Sequence, residues 1–133
     1  MRLWHQKLIP LLPRQQLLGQ HRECCALRGK GWGRKHSTVD YVFKYDPSKL
    51  VAYHYLIISE MRRRGYQPDT IWEKCDYRGK ELGFEPGFCN QALLFLMITN
   101  GEKIFQEHDI NYLEECLDNL KSKGIDIDFK GRE

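Results

Sequence analysis

The run Gln15-Gln16-Leu17-Leu18-Gly19-Gln20-His21-Arg22-Glu23 concentrates polar and ionisable side chains on one stretch of chain. Adjacent residues of a helix point about 100° apart, so Arg22 and Glu23 need not pair with each other. A solvated polar face is the plain reading. Three chemistries compete with it. The first is a metal site. His21, Cys24 and Cys25 stand three and four residues apart, as helical ligands do. A structural zinc needs four ligands, so Cys75, Cys89, His36 or His54 would have to complete the set. The His21/Cys25 spacing also suits a thiolate–imidazole pair, although nothing marks an oxyanion hole.

The second chemistry is phosphate binding. Gly29-Lys30-Gly31-Trp32-Gly33-Arg34-Lys35-His36 brings backbone amides, four cationic or titratable side chains and an aromatic close together. Such a loop suits a nucleic-acid backbone, with Trp32 near a base or sugar. It is not a Walker loop, which needs Gly-Lys-Ser/Thr opening a helix. An ordinary basic loop with Trp32 folded into the core fits the spacing equally well. The third chemistry is a lyase reaction through an amine. An amine attacks the anomeric carbon of a nucleotide, expels the base and forms an imine, and a carboxylate then assists elimination. An α-amino group titrates at about 7.7–8.0, so much of it is free base near neutrality. The sequence by itself does not select this reaction.

Helices must position these groups. Residues 13–28 form the first, with Pro13 in its first turn, an apolar repeat through Leu17, His21, Cys24 and Leu27/Arg28, and Gly29 as its stop. Val39, Val42 and Phe43 mark a short helical stretch from about Ser37. Asp46-Pro47 is a clear helix start, and Leu50, His54, Ile57, Ile58 and Met61 line one face up to Arg62-Arg63-Arg64 and Gly65. Residues 66–90, rich in Gly and Pro, read as loop. Gln91 to Ile98 reads as helix on its Leu and Met content. Asp109 caps a last helix to about Lys123, closed by Gly124. Residues 125–133 read as a polar tail. The expectation is an all-α protein: one compact domain over residues 1–133, with four to five helices around one core.

Composition fits that reading. The chain has 133 residues, 41% hydrophobic and 29% charged, which suits one folded domain. No apolar run reaches the roughly 20 residues of a spanning helix, and Leu8 to Leu12 is broken by Pro10 and Pro13. With five cysteines, an odd number, no Cys-x-x-Cys and no export signal, reduced thiols in a cytoplasmic protein are expected. The net charge of +3 hides an asymmetry. Residues 1–70 hold 13 Lys and Arg against 5 Asp and Glu, whereas residues 71–133 hold 8 against 13. A first half this basic offers an electropositive face to a polyanion.

The opening Met1-Arg2-Leu3, the segment Leu12 to Glu23 with its Arg22-Glu23 pair, and Lys49-Leu50 through Arg64-Gly65-Tyr66 resemble the pyrimidine-dimer DNA glycosylase, or phage endonuclease V-like, family. His108-Asp109 is a weaker match, and the likeness is good only over residues 1–66. The resemblance implies an all-α fold, no metal or organic cofactor, and damaged double-stranded DNA as partner, with no membrane and no obligatory protein partner. It implies a glycosylase with abasic-site lyase activity. Its nucleophile would be the α-amine of Met1, and its carboxylate Glu23. Arg2 and Arg22 would hold phosphates. Arg28, Lys30, Arg34 and Lys35 join them as expected DNA contacts on charge alone. The chain departs from the family in keeping Met1 before a bulky Arg2, in lacking an aromatic, lysine-containing C-terminal motif, and in its acidic second half. A binding module that kept the fold without the chemistry is the alternative.

Overall fold

The computed structural model describes residues 1–129. Four α-helices carry the chain: α1 (Arg14–Arg28), α2 (Pro47–Arg63), α3 (Gln91–Asn100) and α4 (Ile110–Ser122). Short 3-10 helices span Gln6–Leu11, Asp40–Lys44 and Thr70–Glu73. The all-α expectation therefore holds, and a single antiparallel bridge between Tyr77 and Phe84 is the one β feature among the described residues.

The helix ends follow local chemistry. Asp46 caps α2 by accepting from the Ser48 amide at 2.8 Å, with Pro47 at the first helical position. Asn90 caps α3 and Asp109 caps α4 in the same manner. Pro13 stands just outside α1 as its N-cap and contributes no side-chain bond. After α1, the Gly31 amide donates back to the Ala26 carbonyl at 3.0 Å. A Cβ on Gly31 would lie 2.7 Å from that carbonyl oxygen, so the close approach anticipated for this loop is to the last turn of its own helix. Trp32 packs edge-on against Phe43 and Phe88, which takes the core reading of that residue over the base-stacking one.

Helix α2 is central: Leu50, Ala52, Tyr53, His54 and Ile57 are fully buried, and it packs on both α1 and α3. Burying a Leu or Ile side chain contributes roughly 1.5–3 kcal/mol, so this helix anchors the domain. Residues 1–5, without regular structure, thread into the same core. Leu3 and Trp4 are buried, Trp4 N–H bonds the Gln20 side chain at 2.7 Å, and Tyr112 donates to the Leu3 carbonyl at 2.5 Å. The polar tail needs correction. Ile125, Ile127 and Phe129 pack against the core, alternating with exposed Asp126 and Asp128. Residues 130–133 of that tail lie outside the described residues. Among the described residues no helix is long and apolar enough to cross a membrane.

Candidate functional site

A cleft of about 270 Å³ opens where the N-terminal segment meets α1 and the end of α4. Met1, Arg2, Trp4, Glu23, Thr38, Asn119 and Lys123 line it. Glu23 projects from the middle of α1 and is half-buried. Burial raises its pKa, while the Met1 α-amine, Arg22, Lys123 and His36 oppose that rise; the net direction is upward. A carboxyl whose charged form is disfavoured by burial, beside an amine, is suited to accepting and returning a proton.

Met1 is exposed but its backbone is tied down. The Thr38 hydroxyl donates to the Met1 carbonyl and lies 3.0 Å from Nδ1 of His36. Arg2 is mostly covered, with its guanidinium 5.7 Å above the Trp4 ring and 4.0 Å from the Glu115 carboxylate. Arg2 and Thr38 also line a neighbouring cleft of about 280 Å³ with Ser37, Tyr41, Glu107, Tyr112 and Glu115. Thus Met1, Arg2 and Glu23 are brought together at one cleft. Arg22, Lys30, Arg34 and Lys35 are exposed, and Lys30 pairs with Glu81 at 2.9 Å.

Arg28 is the exception, and the expectation of a DNA contact there is corrected. Its side chain is fully buried. One terminal nitrogen donates to Nδ1 of His54 at 3.0 Å and to the Trp72 carbonyl at 2.8 Å. The other donates to the carbonyls of Lys74 and Tyr77 at 2.8 and 2.9 Å. With both terminal nitrogens engaged and Nε buried without a partner, Arg28 fastens the 70–77 loop to α1 and is out of reach of a phosphate.

The same arginine settles the chemistry of the histidine–cysteine cluster. His21, Cys25 and His54 converge, with Nδ1 of His21 2.8 Å from Nε2 of His54 and the Cys25 sulfur 3.8 Å from His21 and 3.9 Å from His54. The other expected ligands are elsewhere: Cys24 is fully buried, and Cys75 and Cys89 lie in a separate cluster with Val51 and Phe88. A metal-bound histidine donates its second ring N–H to an acceptor. Here the second nitrogen of His54 faces a guanidinium, which can only donate. His54 therefore carries its proton on Nε2 and donates it to His21. A dication beside this buried Arg28 is disfavoured as well, so the donor set does not fit a metal. Burial pushes the Cys25 thiol up to about 11, which removes the thiolate nucleophile.

Sequence reading assigned no role here to four residues around this site. Gln20 is buried and bonds Glu23, a contact that i, i+3 helical spacing could have flagged. Asn119 and Lys123 reach the cleft from one face of α4 at i, i+4, a pattern that carries no sign of where the face points. Thr38 carries no sequence signal at all. A family profile described as pyrimidine dimer DNA glycosylase matches residues 1–74, which take in the N-terminal segment, α1 and α2. No curated protein and no solved structure matches the chain.

Proposed function

The chain belongs to the pyrimidine dimer DNA glycosylase family, and from that premise we propose that it excises damaged bases through the Met1 α-amine and then cleaves the strand as an abasic-site lyase. One observation carries the reading: the Met1 amine and Glu23 line one cleft, where the amine's charge acts on the carboxyl.

In this reading the neutral α-amine nitrogen bonds to C1′ of the damaged nucleotide. The C1′–base bond breaks, and the base leaves with the bonding pair and takes up a proton. The C1′–O4′ bond then opens, O4′ is protonated, the nitrogen loses a proton, and an imine joins Met1 to C1′. Glu23, as carboxylate, accepts a C2′ proton while the C3′–O bond breaks and the 3′ phosphate leaves with its electron pair. Water hydrolyses the imine and frees the amine. Arg2 and Arg22 hold phosphates beside the lesion. Arg34 and Lys35, both exposed, add to the electropositive approach, and Lys30 contributes less because Glu81 already pairs with it.

The test is Glu23→Gln on an abasic-site duplex. Cleavage is expected to fall by about 100-fold or more with binding largely retained. Cleavage at the parent rate would remove Glu23 from the chemistry.

A further inference from the structure

Gln20 lies beneath the cleft, and its side chain bonds both the N-terminal segment and Glu23, which line it. Gln20 is 1% exposed, yet both N–H donors of its carboxamide and its oxygen are engaged. Oε1 accepts from the Trp4 amide at 2.7 Å and lies 2.8 Å from the Tyr53 hydroxyl, whose one proton also faces the Trp4 carbonyl at 2.6 Å. Nε2 donates to the Arg2 carbonyl at 2.9 Å and to Oε2 of Glu23 at 3.1 Å. The opposite orientation would set NH₂ against the Trp4 N–H and oxygen against two other oxygens, so these contacts define which end is which.

We propose that Gln20 is the positioning residue of this site, one carboxamide that sets the nucleophile's segment and the catalytic carboxylate in a fixed relation to each other. The proposal rests on the lyase reading above. Held at residues 2 and 4, the N-terminal segment keeps Met1, though exposed, at the edge of the cleft that Glu23 lines. Held at Oε2, Glu23 keeps its other oxygen for a proton. A misplacement of about 1 Å between reacting groups can cost on the order of 100-fold in rate, so a rigid link between the two is chemically valuable. The N–H···O bond to the carboxylate also favours its charged form against the burial that disfavours it. The other charges facing Glu23 are the Met1 amine, Arg22, Lys123 and His36.

Two variants separate positioning from structure. Gln20→Met keeps the shape and removes the bonds to the Trp4 amide, the Arg2 carbonyl and Glu23, together with the shared Tyr53 contact. Gln20→Glu keeps the shape and puts a second carboxyl beside Glu23. Both are compared with the parent on an abasic-site duplex, with rates expressed per folded molecule. Gln20→Met is expected to slow borohydride-trapped imine formation by about 10–100-fold with little change in DNA affinity. Gln20→Glu is expected to move the acidic limb of the pH profile for elimination from the preformed imine upward, because a neighbouring carboxylate disfavours the charged form of Glu23. Unchanged trapping and an unmoved acidic limb, with the parent trapping normally, would overturn the role of Gln20 alone. A parent that traps nothing would overturn the lyase reading and this inference with it.

A measurement on the unsubstituted chain covers the case in which neither variant folds. The side-chain NH₂ resonances of Gln20 are expected to titrate with Glu23, at a midpoint above the ordinary glutamate range, and to lose that titration in Glu23→Gln. Resonances indifferent to pH would overturn the proposal.

Discussion

The Arg28 guanidinium donates to Nδ1 of His54 at 3.0 Å, and both side chains are fully buried between α1, α2 and the 70–77 loop. No carboxylate compensates this cation within its hydrogen-bonded partners, which are three carbonyls and one imidazole. The fold therefore depends on His54 staying neutral.

Acid sensitivity follows. Burial lowers the pKa of His54 well below its ordinary value, with Arg28 and His21 acting in the same direction. His21 and His5 are also lowered by burial, and His108 is lowered to about 3. The unfolded chain binds these protons at about pH 6.5 while the folded chain refuses them. Stability is thus fully present above about pH 6.5 and is lost as pH falls through the window between the unfolded and folded values. Each proton taken up on unfolding adds about 1.4 kcal/mol per pH unit to that slope. Urea unfolding between pH 7.5 and 5 is expected to show a steep loss, and His54→Gln a shallower one. A flat profile in the parent would contradict the neutral cluster.

Arg28 should behave unlike the other basic residues of the first half. Arg28→Met is expected to cost about 2–5 kcal/mol of stability, since it strands the carbonyls of Trp72, Lys74 and Tyr77. Arg34→Ala and Lys35→Ala are expected to change stability by no more than about 0.5 kcal/mol. In DNA binding the order reverses. Arg22→Ala should reduce the slope of log affinity against log salt by about 0.9 if it holds one phosphate. Equal salt slopes for the parent and Arg22→Ala would take Arg22 off the DNA.

Metal analysis of untagged protein gives an independent check on the histidine–cysteine cluster. Zinc added in slight excess is expected to leave the unfolding midpoint unchanged, because Nδ1 of His54 faces a donor. A stoichiometric metal lost in His54→Gln would show that Arg28 rearranges and that the cluster is a site after all.

The pH dependence of the elimination step, followed from a preformed imine so that protonation of the free amine does not enter, reports Glu23. Its pKa is raised by burial, and only the carboxylate can accept the C2′ proton. Cleavage should therefore fall as pH drops through a value above the ordinary glutamate range. An acidic limb at or below that range would mean that another group accepts the proton.

Much of the fold was legible because its helix ends are written in local chemistry. Asp46-Pro47, Asp109, Gly65 and Gly124 mark α2 and α4 without reference to tertiary structure. α3 was less legible because it is apolar all round, with Phe95 and Leu96 exposed, so neither periodicity was available. The tail was misread for the opposite reason. Its period-two alternation, Ile125-Asp126-Ile127-Asp128-Phe129, was present, and composition hid it. At the cleft, Met1, Arg2 and Glu23 were expected from the resemblance, whereas Arg22 is exposed on α1 and does not line it. Arg28 was misplaced because charge says nothing about burial. Thr38 and Asn119 join the cleft only when the chain is folded.

The central claim is a covalent bond between Met1 and a deoxyribose carbon. Untagged protein, with its N-terminal mass verified, should be mixed with abasic-site, UV-irradiated and undamaged duplexes in the presence of borohydride, and the adduct mapped by peptide mass. The expected result is an adduct on damaged DNA alone, on the peptide that begins at Met1, and lost when the α-amine is blocked. An adduct on a lysine, or none from a chain with a free Met1 amine, would contradict the account.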